Sequence, residues 1–200
     1  MNSLKSDYSL SLSGASARKA EALITANLYL EMRDWKAVRK QIIDYNEYQL
    51  NAPSSVKRVS GELIKRLKTL SDEEVEFFAH SYGDDQLAML WVSICRTYEF
   101  VSGLSRNVIV DRYARMVTDY TPGAYEAYFE EEAEFHPELL ALTEESKKKM
   151  RNQVFRMLVE CHLITEEGRI TPLYPSPAFV AAIDPEHRED LMLFPGVMLA

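Results

Sequence analysis

Between Pro53 and Leu70 the sequence PSSVKRVSGELIKRLKTL leaves little room for anything but an amphipathic helix packed along one side. Val56, Val59, Leu63, Leu67 and Leu70 recur at spacings of 3, 4, 4 and 3 residues, one apolar stripe at the helical period. At about 100° per residue, Ser54, Arg58, Gly61 and Lys65 fall opposite that stripe, flanked by Lys57 and Lys68. The polar side is basic, begins with the hydroxyls of Ser54 and Ser55, and carries a glycine where an exposed helix normally avoids one. Glycine costs about 0.5–1 kcal/mol relative to alanine in a helix interior. Close approach of another backbone is one reason to keep it, and a phosphodiester chain is a candidate.

Charge is segregated along the chain. The 200 residues carry a net charge of −8, which argues against a simple nucleic-acid binder. Yet residues 33–68 hold nine Lys/Arg against four Asp/Glu, and residues 147–156 hold five basic residues and no acidic one. Residues 119–145 hold nine acidic residues and no basic one. Two basic islands in an acidic body make a directional field that steers polyanions to particular faces; solvated helix faces would give the same blocks. Cys95 and Cys161 lie inside apolar helical patterns with no metal-ligand spacing, which fits a reducing cytoplasm. The polar N-terminus has no signal-peptide core, and the longest apolar run, Leu87–Cys95, is far shorter than a bilayer span.

Helical punctuation covers most of the chain. Residues 1–15 read as a polar N-terminal segment. Ser16–Met32 reads as a helix, and Asp34 as the N-cap of a helix over Asp34–Tyr48. Asn46–Ala52 reads as a turn, and Pro53 suits the first position of the next helix. Ser71-Asp72-Glu73-Glu74 opens another. Helices over Asp84–Gly103 and Arg106–Asp119 follow. Thr121-Pro122-Gly123 breaks the chain and is the expected boundary between lobes 16–120 and 121–200. Beyond it the expectations are helices over Tyr125–Phe135, His136–Leu142 and residues 143–163, a hairpin around Glu167-Gly168, and a short helix near Ala178–Ile183.

Two constellations emerge. Asp34–Leu70 resembles a helix-turn-helix, in which the second helix enters the major groove of duplex DNA. Its contact residues are Ser54, Ser55, Lys57, Arg58, Gly61 and Lys65. Residues 136–174 have the order of a winged helix, with Lys147, Lys148, Lys149, Arg151, Asn152 and Arg156 on the basic helix and Arg169 at the hairpin tip. Ordinary helical hairpins with solvated faces are the alternative for both. His80, His136, His162 and His187 are scattered, no catalytic motif is present, and no catalytic residue, metal site or cofactor is expected.

The runs DWKAVRKQIIDYNEYQLNAPSSVKRVSGELIKRLKTLSDEE and LTEESKKKMRNQVFRMLVECHLITEEGRITPLYPSP resemble the BrxA family of bacteriophage-exclusion (BREX) defence systems, with similarity over roughly residues 8–180. The resemblance implies an all-α, two-lobed, monomeric cytoplasmic protein with two helix-turn-helix units, the second winged by a short β-hairpin. It implies a non-enzymatic antiviral accessory component that binds double-stranded DNA, with partners among other BREX components such as the methyltransferase and the ATPase. An RNA-binding role like that of the antitermination factor NusB, or a protein-interaction scaffold, stays open at this stage.

Overall fold

The computed structural model describes residues 16–197, and every regular element among them is helical. The polar segment 1–15 lies outside the described residues. The chain runs α1 (Lys19–Met32), α2 (Trp35–Tyr45), α3 (Pro53–Leu67), α4 (Asp72–His80), α5 (Gly83–Thr97), α6 (Glu99–Leu104), a π-helical turn (Ser105–Val110), α7 (Asp111–Ala114), α8 (Pro122–Phe135), α9 (Pro137–Leu140), α10 (Glu144–Glu160), α11 (Pro177–Ala182) and a 3-10 segment (Pro185–Leu193). The expected fold class, all-α, is the observed one.

The local signals for helix ends work as chemistry dictates. The Asp34 carboxylate accepts from the Lys36 N–H at 2.8 Å and starts α2. Ser71 and Glu74 exchange side-chain and backbone hydrogen bonds in a complete capping box that starts α4. Thr121, Thr143 and Ser176 cap α8, α10 and α11 by accepting from the backbone N–H three residues on, and proline occupies the first turn of α3, α8, α9 and α11.

The interior is organised around α5, whose residues Gln86–Cys95 are all buried. α1 packs against α2, α3 and α4, while α3 and α4 pack against α5. α8 packs against α6 and the π-helical turn, and the 3-10 segment against that turn. Trp91 donates its indole N–H to Ser105 at 3.1 Å, and Ser105 donates to the Leu193 carbonyl at 2.8 Å, tying α5, the π-helical turn and the C-terminal segment together. The buried apolar side chains form one continuous cluster from Ala17 to Phe194.

Three expected elements differ. The helix over Asp84–Gly103 breaks at Tyr98, whose backbone is extended at φ −127° and ψ 101°. The apolar spacing runs through the break because Tyr98 is itself fully buried and its hydroxyl donates to Glu62 on α3. The helix over Arg106–Asp119 is instead a π-helical turn followed by one α turn, and residues 118–120 are extended. Those residues serve the hairpin. The Tyr120 N–H donates to the Gly168 carbonyl and the Ile170 N–H to the Thr118 carbonyl, both at 2.7 Å. On the other side, the Thr165 N–H donates to the Arg169 carbonyl at 2.8 Å. The expected two-stranded hairpin is therefore a minimal three-segment arrangement with residues 168–170 in the middle. Gly168 has φ +84°, and a Cβ there would lie 2.6 Å from the Tyr120 carbonyl oxygen.

Candidate nucleic-acid interface

The turn between α2 and α3 is built by Asn46. It takes a left-handed conformation, and its amide both accepts from the Leu50 N–H at 3.1 Å and donates to the Leu50 carbonyl at 3.0 Å. Val56, Val59, Leu63 and Leu67 then bury completely or nearly so. This fixes the rotation of α3 and leaves Ser54, Lys57, Arg58, Lys65 and Lys68 exposed on one arc, with Gly61 half-buried among them and Ser55 half-buried at the helix start. Ala52 caps α3 without a side-chain hydrogen bond.

Beside that arc lies a groove of about 380 Å³ between α2 and α3. It is lined by Trp35, Lys36, Arg39, Gly61, Ile64, Lys65 and Lys68, four cations and no carboxylate. Trp35 forms its edge, stacked on Tyr29 with ring centres 3.8 Å apart. A Cβ on Gly61 would meet only the Arg39 guanidinium at 3.7 Å, an ordinary contact, so the protein itself does not require glycine here. What the glycine preserves is the open floor of the groove.

The basic helix α10 is arranged differently. Met150, Val154, Met157 and Leu158 bury its apolar stripe. Lys147 and Arg151 turn toward α8. Arg151 pairs with Glu126, and Lys147 pairs with Glu144 at 2.7 Å with its ammonium 5.8 Å from the centre of the Phe129 ring. Lys148 lines the same gap between α8 and α10. Lys149, Asn152 and Arg156 face solvent. Lys149 pairs with Glu145 at 2.7 Å, and that hydrogen bond holds the Glu145 carboxyl below the usual carboxylate range. Arg169 is exposed in the turn after α10.

The family model for BrxA matches residues 6–186 of the chain. The chain belongs to the BrxA family. The curated BREX protein BrxA of Escherichia coli O9:H4 (strain HS) is 23% identical over 184 residues, covering 90% of this chain and 86% of that protein. A crystal structure of an uncharacterized protein from Magnetospirillum magneticum superposes with a TM-score of 0.80 at 19% identity, covering 93% of this chain and 96% of that one, a likeness of fold.

Within this BrxA-family chain the structure also shows which charges do not reach the surface. Arg66, counted in the basic island around α3, is fully buried and donates to Glu62 at 2.9 Å and to the Ser16 carbonyl at 2.8 Å. Arg96 donates to both oxygens of Glu74 at 2.7 Å and to Asp190 at 2.7 Å, joining α5, α4 and the 3-10 segment. Burial pushes the Glu74 carboxyl up. The Arg96 hydrogen bonds, the N–H groups of Asp184 and Ser71 and the Arg96 charge outweigh it and hold the carboxyl below its ordinary value. Asp190 has fewer donors, and burial keeps it above its ordinary value despite Arg96. Both cysteines are buried thiols, pushed up by burial first of all. Among the described residues no group of three or more His, Cys, Asp or Glu side chains could hold a metal ion, and no helix is long and apolar enough to cross a membrane.

Lys57, Arg58 and Lys65 are legible in the sequence as one face of α3, whereas the α2 contribution is not. The signal was present as Lys36 and Arg39, three residues apart, with Lys36 opposite the buried Val38 and Ile42 and Arg39 on their flank. Only the packing of α2 on α3 shows that these cations and Lys68 share one groove.

Proposed function

We propose that this protein is a non-enzymatic component of a BREX phage-defence system that binds double-stranded DNA, with other BREX components as its partners. The carrying observation is the α2/α3 groove, where Lys36, Arg39, Lys65 and Lys68 converge without a carboxylate on a chain of net charge −8. Four like charges around one groove repel one another, and a polyanion removes that cost while releasing its own counterions. The adjoining arc of Ser54, Ser55, Lys57, Arg58 and Gly61 is one helix wide, and the major groove of B-form DNA admits one helix.

In this reading the chain works as two units, 16–120 and 121–200. The second contributes Lys149, Asn152, Arg156 and Arg169. Lys147, Lys148 and Arg151 face α8 and add long-range field more than direct contacts. The order α8, α9, α10 and paired segments, with residues 168–170 between 118–120 and 164–165, supports the winged-helix comparison. Contacts made chiefly to phosphates give modest sequence preference and steep salt dependence.

The test is a gel-shift titration of duplex DNA, single-stranded DNA and RNA of equal length at two salt concentrations. Tighter binding of duplex DNA, weakened steeply by salt, supports the proposal. Preference for RNA favours the NusB-like alternative, because the deep, narrow groove of A-form RNA does not admit a helix. Absence of nucleic-acid binding at low salt leaves the scaffold role.

A further inference from the structure

The α2/α3 groove contains a side chain that a duplex backbone does not use. Trp35, at the first position of α2, is half-buried and lines the groove beside Lys36 and Arg39. The other tryptophan, Trp91, is fully buried and gives its N–H to Ser105. Tyr29 backs one face of the Trp35 ring, parallel to within 7° and 3.8 Å away between ring centres. Tyr29 is held in turn. Its hydroxyl donates to Asp72 at 2.7 Å, and Arg33, 5.9 Å from the centre of the Tyr29 ring, pairs with Asp72 at 3.3 Å. The indole is therefore in place before a ligand arrives, which lowers the entropic cost of stacking on it.

Each wall of the groove follows one line of its helix. Trp35 and Arg39 are four residues apart on α2, and Gly61, Lys65 and Lys68 stand at i, i+4 and i+7 on α3. The α3 line covers about 10 Å. The groove volume of about 380 Å³ lies at the low end of the roughly 300–1,000 Å³ of ligand sites. That is room for a single nucleotide and not for a duplex. Gly61 keeps the α3 wall low opposite the Arg39 guanidinium. The four cations account for phosphate; they do not account for an aromatic ring among them. Inside a duplex the faces of each base are covered by its neighbours, and only base edges reach the grooves. An indole in a cationic groove meets a free π-face only where a base is unpaired.

We propose that the α2/α3 groove takes an unpaired nucleotide at an end or gap of the bound duplex, with its base stacked on Trp35 and its phosphates held by Lys36, Arg39, Lys65 and Lys68. The inference rests on the duplex-binding reading and narrows it: the exposed arc of α3 meets the paired stretch, and the groove takes the strand where pairing stops.

The test uses the full chain and three DNAs: a blunt duplex, the same duplex with a short adenine overhang, and the same duplex with an abasic overhang of equal length. The abasic overhang has the phosphates without the bases. Fluorescence anisotropy is expected to show the adenine overhang binding about tenfold more tightly than the abasic one. Trp35→Leu should reduce that ratio below about threefold, and Trp35→Phe, which keeps a stacking ring, should hold it above that value. Helical circular dichroism checks folding of both variants. A measurement on the wild-type chain needs no substitution: the adenine overhang should quench Trp35 emission, and the abasic overhang should not, with the buried Trp91 silent in both. Equal affinity for the two overhangs, a ratio that survives Trp35→Leu, or no selective quenching would overturn the proposal while binding of the blunt duplex stands. Free ATP that displaces the adenine overhang at equal concentration would assign the groove to free nucleotides and overturn it too. Failure of all three DNAs to bind would overturn it together with the duplex-binding reading.

Discussion

The helices α3 and α10 look alike as text and are opposites as surfaces. Each carries a cluster of lysines and arginines after a turn and an apolar stripe at core spacing. On α3 the exposed arc is joined by two cations from α2, and no carboxylate lines the groove they share. On α10 the cations divide between two directions. Lys147 and Arg151 meet Glu144 and Glu126 and Lys148 lines the gap to α8, while Lys149 is matched by Glu145 and Asn152 and Arg156 extend the solvent face beyond it. The difference teaches that a run of like charge reports nothing about its field until the facing element is known. The acidic block 119–145 supplies that facing element for α10, whereas α2, itself basic, supplies it for α3.

The largest expected effect tests the inward side of α3. Replacing Arg66 by alanine leaves Glu62 buried without its ion-pair partner, which costs about 3–5 kcal/mol and lowers Tm by roughly 10 °C. A calorimetric Tm within 2 °C of wild type, set against about 2–4 °C per kcal/mol for a chain of this size, would show that Arg66 is not an interior charge.

Next come the outward faces. Lys149→Glu with Arg156→Glu should weaken duplex binding about tenfold, and Lys147→Glu with Arg151→Glu by less than about threefold, because the former pair faces solvent while the latter turns toward the acidic helix α8. Equal losses in a filter-binding assay would erase the distinction drawn within α10.

A smaller effect distinguishes buried from surface pairing by pH. With its folded pKa held below the ordinary 4.5, Glu74 contributes stability that is fully present above that value and lost as pH falls through the folded one. Denaturant midpoints should therefore drop below pH 4.5, and the drop should shrink in Glu74→Gln. Identical acid limbs would detach Glu74 from the Arg96 network. The smallest effect belongs to Gly61→Ala, which should raise stability by about 0.5–1 kcal/mol in urea unfolding while weakening DNA binding. A stabilised variant with unchanged binding would remove the open groove floor from the interface.

Much of this could be read in the residues because it is local. Asp34, Ser71 and Thr143 fix helix ends through hydrogen bonds to residues two or three positions away, and Pro53 does so by its fixed φ at the first position of α3. The rotation of α3 follows from the Val56-to-Leu67 stripe alone. The features that stayed hidden depend on distant partners. Tyr98 interrupts a continuous apolar pattern because it reaches Glu62 on another helix, and residues 118–120 are extended because residues 168–170 pair with them. Arg66 counts toward the basic island in the sequence, yet it lies on the flank of the stripe and is drawn inward by Glu62 and the Ser16 carbonyl. The α2/α3 groove is of the same kind, since Arg39 and Lys68 are neighbours only after packing.

The central claim is that the α2/α3 groove carries the polyanion contact, and the salt dependence of duplex binding tests it most directly. Comparing wild type with Arg39→Glu, Lys68→Glu, the slope of log affinity against log salt should become shallower by about 1.8, with affinity at low salt down by about tenfold to a hundredfold. A variant that keeps the wild-type slope and affinity would contradict the claim and place the contact elsewhere on the molecule.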